Sequence, residues 1–216
     1  MSSDNLGARQ IRQCLEAAAA LIAAEEARLN ALDSVIGDGD HGITMRVGFE
    51  AIKGKLAVLD GTAEIEKVLK EAGLAFMGAT GGAIGPLLGG MLMAAGSALS
   101  GRSQMGAIEF KLLLESMETS LSQRGKAKVG DKTILDAVHA SCQAVSQSSD
   151  QDTRVLCAKA AEAAELAAQT TENMRSGKGR SSRLGERVLG HPDPGAVSFA
   201  LIMRAFANRL EDEPSA

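Results

Sequence analysis

Apolar side chains recur at intervals of three and four residues along most of the chain, and this helical period is the feature that most constrains its fold. In the first such segment Ile11, Leu15 and Ile22 share one face, leaving Arg12 and Glu16 to face water. No segment alternates strictly with a period of two, so we predict no β-sheet. The predicted helices cover residues 8–32, 44–57, 63–79, 83–100, 106–123, 131–148, 151–174 and 195–210.

The composition limits how these helices can pack. Of the 216 residues 45% are hydrophobic, but the chain has no Trp or Tyr and only five Phe. Aliphatic side chains, Met and Ala must therefore fill the core, which suits helices whose backbones approach closely. Because the helices are similar in length and most connections are short, neighbours are expected to be antiparallel. We predict an all-α fold with a single domain over residues 1–216, built as an eight-helix antiparallel bundle or closed ring.

The charge and the cysteines exclude several classes of protein. The formal net charge is −4 and aromatic residues are scarce, which argues against nucleic-acid binding. Charged residues interrupt most apolar stretches before they reach membrane length, and the N-terminus has no apolar signal core, so we expect no membrane contact. Cys14, Cys142 and Cys157 have no ligand-like spacing and are typical of buried thiols. We therefore expect a cytoplasmic protein.

The segment 33–42 concentrates acidic side chains between two predicted helices. Asp33, Asp38 and Asp40 lie within eight residues, with Gly37 and Gly39 between them to let the backbone turn tightly. Three like charges so close repel one another, and a hard cation makes such a cluster favourable. Mg²⁺ suits it, because a few carboxylates and substrate phosphates usually hold this ion. The helix predicted to begin near residue 44 would point its first N–H groups at an anion held by the metal.

Other interpretations of this segment follow from the residues. An Asp- and Gly-rich string between helices is often only a solvated turn. An EF-hand is excluded, because twelve residues counted from Asp38 end on Phe49 instead of Glu, and Ile43 stands where the loop needs Gly. His41 by itself is typical of an ordinary polar loop residue. The residues alone leave the solvated turn and the magnesium site as alternatives.

Four further segments are rich in Gly or in basic residues. Residues 78–86 place four Gly ahead of an apolar helix, and residues 124–133 combine basic residues with two Gly, where Asp131 is interpreted as an N-cap. Residues 177–187 form a basic stretch of a kind that is usually solvated surface, although Arg180 is a candidate to clamp a phosphate. In residues 191–195, Asp193 is predicted as an N-cap and Pro194 as the first helical residue.

Five blocks, GDGDHG, GGAIGP, GDKT, GRSSRLGER and GHPDPGA, follow one another along the chain. In this order and at these separations they resemble the L subunit of dihydroxyacetone kinase, or the matching C-terminal domain of the single-chain enzymes, over about residues 10–207. The resemblance implies an eight-helix antiparallel barrel with the nucleotide at one end. It also favours the magnesium site over the solvated turn.

The resemblance implies site residues as well. Asp33, Asp38 and Asp40 would hold two Mg²⁺ ions against the phosphates of ATP or ADP, where the ions neutralise charge on the transferred phosphoryl group. Ile134 would cover the adenine. No residue of this chain is assigned a catalytic role of its own. The positions that look like the family's nucleotide pocket are His41, Gly42, Ile43, Thr44, Ala83, Ile84, Gly125, Ile134, Arg180, Asp193, Pro194 and Gly195.

By the same resemblance the chain is a phosphotransferase subunit, part of a glycerone (dihydroxyacetone) kinase. The family holds the ketose on a separate K subunit through a histidine there, so the sugar site is expected elsewhere. The phosphoryl source is either ATP that exchanges freely or a bound nucleotide recharged by a phosphotransferase-system protein, and the ketose is dihydroxyacetone or a tetrulose. The alternatives are a regulatory module that docks on a transcription regulator when loaded with nucleotide, and a helical protein with a structural metal loop.

One position departs from the pattern of the family. Ile84 stands where Ser is expected in the GGAIGP block, so one hydroxyl that would bond a phosphate is missing. The loss of one hydrogen bond costs about 0.5–1.5 kcal/mol. We therefore expect weaker retention of the nucleotide and not a loss of binding.

Overall fold

The computed structural model describes residues 5–212, except for the side chain of Arg180, and is mainly helical. A π-helical turn (Gly85–Gly89) leads into the fifth helix, and 3-10 turns cover Thr171–Asn173, Arg180–Arg183 and Gly185–Val188. The all-α prediction is confirmed. The nine α-helices of the described range are α1 (Ala8–Ala24), α2 (Glu26–Ile36), α3 (His41–Val58), α4 (Ile65–Ala79), α5 (Gly90–Ala98), α6 (Ala107–Gly125), α7 (Ile134–Ser146), α8 (Thr153–Thr170) and α9 (Pro194–Glu211).

Eight of the nine described helices form a closed ring. Helix α1 packs against α3, each later helix packs against the next, and α9 returns to α1. The connections α2–α3, α4–α5, α6–α7 and α8–α9 all contribute residues to the walls of one cleft. Helix starts and helix ends therefore alternate at this end of the ring. This is the predicted eight-helix antiparallel arrangement, with α2 as an additional helix outside the ring.

The predicted helix over residues 8–32 is in fact two helices. Glu25 leaves helical geometry with φ −97° and ψ 6°, and α2 packs on α3 instead of continuing along the ring. Leu29 is still buried, and an ion pair joins Glu26 of α2 to Arg46 of α3. Because apolar residues keep their spacing through the break, the sequence pattern did not reveal it.

The structure corrects the expectation that the chain has no β-sheet. Strands β1 (Leu6–Gly7) and β2 (Gln104–Met105) pair in antiparallel fashion, with Leu6 opposite Met105. Each strand has only two residues, which is too short to show the alternation from which a strand is recognised. The pair joins the segments that lead into α1 and α6.

Small and aliphatic side chains fill the inside of the ring. Many buried positions are Ala, such as Ala160. Helix α4 approaches the π-helical turn so closely that Gly73 and Gly89 leave no room for a Cβ against each other's carbonyl groups. Phe49 and Phe76 make an edge-to-face pair with ring centroids 5.9 Å apart. Close approach of backbones thus replaces the bulk that Trp and Tyr supply in other cores.

The predicted burial of the cysteines is confirmed. Cys14, Cys142 and Cys157 are all buried. Burial raises the pKa of Cys142 to about 11 and that of Cys157 to about 12, so both are protonated at neutral pH and unreactive. Among the helices of residues 5–212, none combines the length and the apolar character that crossing a membrane requires.

Candidate functional site

The α2–α3 junction folds around the side chain of Asp33. This residue lies in the last turn of α2, and its Oδ2 accepts hydrogen bonds from the backbone N–H groups of Gly39 (2.8 Å) and Asp40 (3.1 Å). Gly37 passes so close to Asp33 that a Cβ there would collide with the carboxylate, and Gly39 adopts φ +80°. The four residues 37–40 therefore wrap over one carboxylate and place two others beside it.

Asp33, Asp38 and Asp40 converge at this junction, and each offers a carboxylate oxygen within 4.8 Å of the others. Within residues 5–212 this is the one group of three acidic, His or Cys side chains close enough to share a metal ion. Asp33 is half-buried, whereas Asp38 and Asp40 are exposed. Three negative charges at this separation are unfavourable without a cation, and oxygen ligands suit Mg²⁺. The residues present fit a magnesium site.

Helix α3 begins at His41, three residues earlier than predicted, with Asp40 at its N-cap position. The N–H of Ile43 donates to Asn30 Oδ1 (3.1 Å), and the N–H of Thr44 donates to the Asp40 carbonyl (2.9 Å). These two N–H groups are therefore used inside the protein. The expectation that the first N–H groups of this helix face an anion is therefore corrected for Ile43 and Thr44, and it stays a prediction for His41 and Gly42, at which the helix begins.

The acidic cluster stands at one side of a cleft at the end of the ring. A compartment of about 510 Å³ contains the cluster and adjoins a second compartment of about 420 Å³. Apolar residues such as Pro86, Leu121 and Leu135 border only the second, so we name the two the carboxylate compartment and the apolar compartment. Both are bordered by Ala83, Leu87, Thr133, Ile134, Ser181 and Asp193.

The structure brings most of the predicted nucleotide-pocket residues to this cleft. Gly125 borders the apolar compartment. Gly42 is buried against α2 and Ile43 is exposed, and neither borders the cleft. The side chain of Arg180 lies outside the described part of the chain, so its role as a phosphate clamp stays a prediction. The carboxylate compartment is bordered by His41, Thr44, Ala83, Ile84, Ile134, Asp193, Pro194 and Gly195.

His41 connects the start of α3 to the start of α9. Its Nε2 lies 3.1 Å from Ser198 Oγ, and the Ser198 hydroxyl donates to the Gly195 carbonyl at 3.0 Å. Burial lowers the pKa of His41, although the carboxylates of Asp33 and Asp40 oppose this effect. The imidazole joins two helices, which differs from the ordinary loop residue expected from the sequence.

The predicted start of α9 is confirmed. Asp193 is the N-cap residue, with its Oδ2 accepting a hydrogen bond from the Ala196 N–H at 2.8 Å, and Pro194 is the first helical residue. Burial is the main cause that raises the pKa of Asp193 to about 7. The carboxylates of Asp136 and Asp33 add to this rise, whereas the Ala196 hydrogen bond and the Lys132 ammonium oppose it.

We expect Asp193→Asn to stabilise the metal-free protein relative to wild type increasingly as the pH rises. The pKa of Asp193 is raised from 3.8 to about 7 on folding, so folding takes up a proton between these values. The stability contributed by this group is therefore full below the unfolded pKa and is lost as the pH rises toward the folded one. Asn caps a helix about as well as Asp and does not titrate.

Thermal unfolding in EDTA at about pH 5.5 and about pH 8 measures this effect through the Tm difference between Asp193→Asn and wild type. Each pKa unit corresponds to about 1.4 kcal/mol, and each kcal/mol shifts Tm by about 2–4 °C in a chain of this size. The difference should grow by several degrees between the two pH values. A constant difference would contradict the raised pKa.

The N-terminus of α7 is capped by Thr133, not by Asp131 as predicted. Thr133 Oγ1 accepts from the Leu135 N–H (3.2 Å), and the Thr133 N–H donates to Asp136 Oδ2 (2.7 Å). This is a capping box, and the Thr-x-x-Asp spacing in the sequence was the signal for it. Asp131 accepts instead from the Lys128 N–H at 3.0 Å.

Sequence reasoning also missed part of the cleft wall. Thr133 could have been found through its capping box, but Lys132 gave no signal, because a lysine in a basic Gly-rich segment is typical of solvated surface. In the structure Lys132 is only 1% exposed. The unassigned wall residues are Ile36, Gly37, Gly81, Gly82, Leu87, Thr133 and Ser181 in the carboxylate compartment, and Pro86, Leu121, Arg124, Ala127, Lys132, Leu135, Lys178 and Gly179 in the apolar compartment.

Comparison with known proteins places this arrangement in a family. Residues 35–208 match the DAK2 domain. The chain belongs to the DAK2 domain family. This DAK2 chain is 37% identical over 206 residues to the Escherichia coli (strain K12) protein named PEP-dependent dihydroxyacetone kinase, ADP-binding subunit DhaL, and the match covers 94% of this chain and 97% of the relative. The resemblance drawn from the five sequence blocks is confirmed.

Longer kinases also contain a matching region. L-erythrulose 1-kinase of Mycolicibacterium smegmatis is 35% identical over 207 residues, which cover 94% of the DAK2 chain and 36% of the relative. The crystal structure of the dihydroxyacetone kinase of C. freundii matches with a TM-score of 0.72 and 25% identity over 92% of this chain and 34% of that chain. The same kinase in complex with AMP-PNP and Mg²⁺ matches with a TM-score of 0.70 and 24% identity over 91% of this chain and 33% of that chain. The DAK2 chain thus spans about a third of these longer proteins.

Proposed function

We propose that residues 1–216 form one cytoplasmic domain, the magnesium- and nucleotide-binding subunit of a dihydroxyacetone-type kinase. In this proposal it donates a phosphoryl group to a ketose that a separate K-type subunit holds. The observation that carries the proposal is the convergence of Asp33, Asp38 and Asp40 at one side of a cleft with room for a nucleotide. The E. coli relative of nearly equal length bears the name of an ADP-binding subunit.

The two compartments of the cleft correspond to the two chemical parts of a nucleotide. The phosphates belong in the carboxylate compartment with the metal, and the base belongs in the apolar compartment, with Ile134 between them. Asp33 uses its Oδ2 to hold the 37–40 connection, so its Oδ1 would join Asp38 and Asp40 in contacting metal. Two Mg²⁺ ions would balance both the three carboxylates and the phosphate oxygens, and would stabilise charge that develops on the transferred group.

The phosphoryl source and the ketose are further parts of the proposal. The E. coli relative is named PEP-dependent, which favours a nucleotide that stays bound and is recharged by a phosphotransferase-system protein over ATP that exchanges freely. The same name favours dihydroxyacetone as the ketose. The M. smegmatis relative is named for L-erythrulose, so a tetrulose is the second candidate.

Calorimetric titration of the purified chain with ADP tests the metal-dependent nucleotide site. Binding is expected in Mg²⁺ and should vanish when EDTA removes the metal, because the phosphates would then face three uncompensated carboxylates. Equal binding under both conditions would refute the proposal.

We expect Ile84→Ser to tighten ADP binding in Mg²⁺. Ile84 borders the carboxylate compartment and is half-buried against the core. A hydroxyl there would add a hydrogen bond to phosphate, which contributes about 0.5–1.5 kcal/mol or about a two- to tenfold gain in affinity. Ile84→Ala is the matched control, because it removes the same packing without adding a hydroxyl. If both variants change the dissociation constant equally, the effect comes from space and not from the hydroxyl.

A further inference from the structure

The ammonium group of Lys132 is buried beneath the cleft. The residue is 1% exposed, and its Nζ donates to the backbone carbonyls of Thr171 (2.7 Å), Val188 (2.9 Å) and His191 (2.6 Å). An ammonium has three N–H donors, and here each has a partner. Burial lowers the pKa of Lys132, whereas the nearby carboxylates of Asp193 and Glu172 raise it.

These three carbonyls belong to the long connection between α8 and α9, residues 171–193. Thr171 stands at its start, and Val188 and His191 stand near its end. A single side chain thus closes both ends of the connection. Two backbone hydrogen bonds complete the closure, from the Gly177 N–H to the Asp131 carbonyl (2.9 Å) and from the Gly190 N–H to the Glu172 carbonyl (2.8 Å).

The same connection forms one wall of the cleft. Lys178, Gly179 and Ser181 border the apolar compartment, and Ser181 borders the carboxylate compartment as well. The segment that carries Lys132 also contributes to the cleft, because Thr133 and Ile134, which directly follow Lys132, border the carboxylate compartment. Lys132 therefore joins two walls, because the residue borders the apolar compartment and its ammonium contacts the three carbonyls of the connection.

The backbone at Lys132 supports a dedicated role for this side chain. Its φ is +59°, a left-handed conformation that is strained for a non-Gly residue. Such strain persists only where surrounding structure holds it. The left-handed turn lets the ammonium enter the protein while the next residue, Thr133, caps α7.

We propose that Lys132 is a positioning residue for the nucleotide, and that its ammonium acts as a built-in monovalent cation that fixes the 171–193 connection as a cleft wall. Three carbonyl oxygens that converge in the interior require a positive charge or donors, as they do around a bound potassium ion. Without this charge the three carbonyls lose their partner and the wall loses its anchor. The inference rests on the proposed function, because it names what the wall contacts.

Two substitutions separate charge from volume. Lys132→Met keeps most of the packing and removes the charge, whereas Lys132→Ala also opens a space in front of the three carbonyls. Both should weaken ADP binding in Mg²⁺ by about tenfold or more, since buried acceptors are left unsatisfied. Ammonium or ethylammonium ions should restore binding to Lys132→Ala and not to Lys132→Met, with choline at equal ionic strength as the salt control. Lys53→Met, at an exposed lysine of α3, is the control variant and should bind as wild type does.

Rescue of Lys132→Ala by the amines is the result that a merely structural lysine would not give. Wild-type affinity in both folded variants overturns the proposal, and so does loss of binding that no amine restores. If neither variant folds, Lys132→Arg tests the proposal instead. Its planar guanidinium keeps the positive charge but cannot place donors on all three carbonyls. Weaker ADP binding at unchanged Tm then supports the role, and wild-type affinity overturns it.

Hydrogen exchange separates this inference from the proposed function. In Lys132→Met without nucleotide, the amides of Gly177 and Gly190 should lose protection, while amides in the middle of α7 keep theirs. If wild type binds no ADP, the proposed function fails, and this exchange result still decides whether Lys132 anchors the connection. Unchanged protection at both glycines overturns the anchor.

Discussion

Replacing Asp38 with Asn is expected to lower the affinity for ADP in Mg²⁺ by about a hundredfold or more. Loss of an outer partner of a metal ligand typically costs about 10–100-fold in affinity, and Asp38 is one of three carboxylates that converge here. The Asn side chain keeps the size and removes the charge, so the cluster attracts the ion less strongly. Calorimetry with ADP and Mg²⁺ measures the loss.

The fold should survive Asp38→Asn, so the melting temperature of the variant provides a second measurement. Asp38 is exposed in the short connection between α2 and α3. In EDTA, removal of one of three like charges should leave Tm unchanged or slightly higher. In Mg²⁺ and ADP the rise in Tm seen for wild type should be lost. Glu50→Gln is the matched control, because it removes one negative charge from an exposed position on α3. Unchanged ADP affinity in Asp38→Asn would contradict the assignment of Asp38 as a metal ligand.

The purified chain is expected to phosphorylate no dihydroxyacetone or erythrulose by itself, and to gain activity when its K subunit is added. Phosphoryl transfer needs the donor and metals on one side and a positioned acceptor hydroxyl on the other. The cleft fits the donor and the metals, which are the first of these two requirements. Of the three histidines, His41 joins α3 to α9 and His139 is bonded to Glu118 at 2.7 Å. Neither is placed to capture a ketone.

A coupled assay of ADP release with each ketose, with and without the K subunit, measures this division of labour. A chain that keeps its nucleotide should still yield about one sugar phosphate per ATP-loaded molecule in a single turnover. Asp38→Asn is the control that should stay inactive in the complete system. Robust phosphorylation by the chain alone would reveal a missed sugar site. Nucleotide binding without any transfer to a K-bound ketose would favour the regulatory module.

Local patterns in the sequence predicted local structure well. The Asp-Pro pair at 193 and 194 marked the start of α9, and helical spacing located most of the ring helices. The convergence of Asp33, Asp38 and Asp40 was also predictable, because so short a Gly-rich connection cannot carry its carboxylates far apart. Errors arose where two local signals competed, as at Asp131 and Thr133, which both suit an N-cap.

The sequence by itself thus determined the helical class, the family and the acidic end of the cleft, since each depends on residues close together in the chain. Tertiary structure alone decided the break at Glu25, the pairing of β1 with β2, and the burial of Lys132 against carbonyls 39, 56 and 59 residues away. The sequence does not distinguish a lysine whose ammonium is solvated from one whose ammonium binds backbone carbonyls. Only the packing of distant segments excludes water from these carbonyls, so that they need a buried donor.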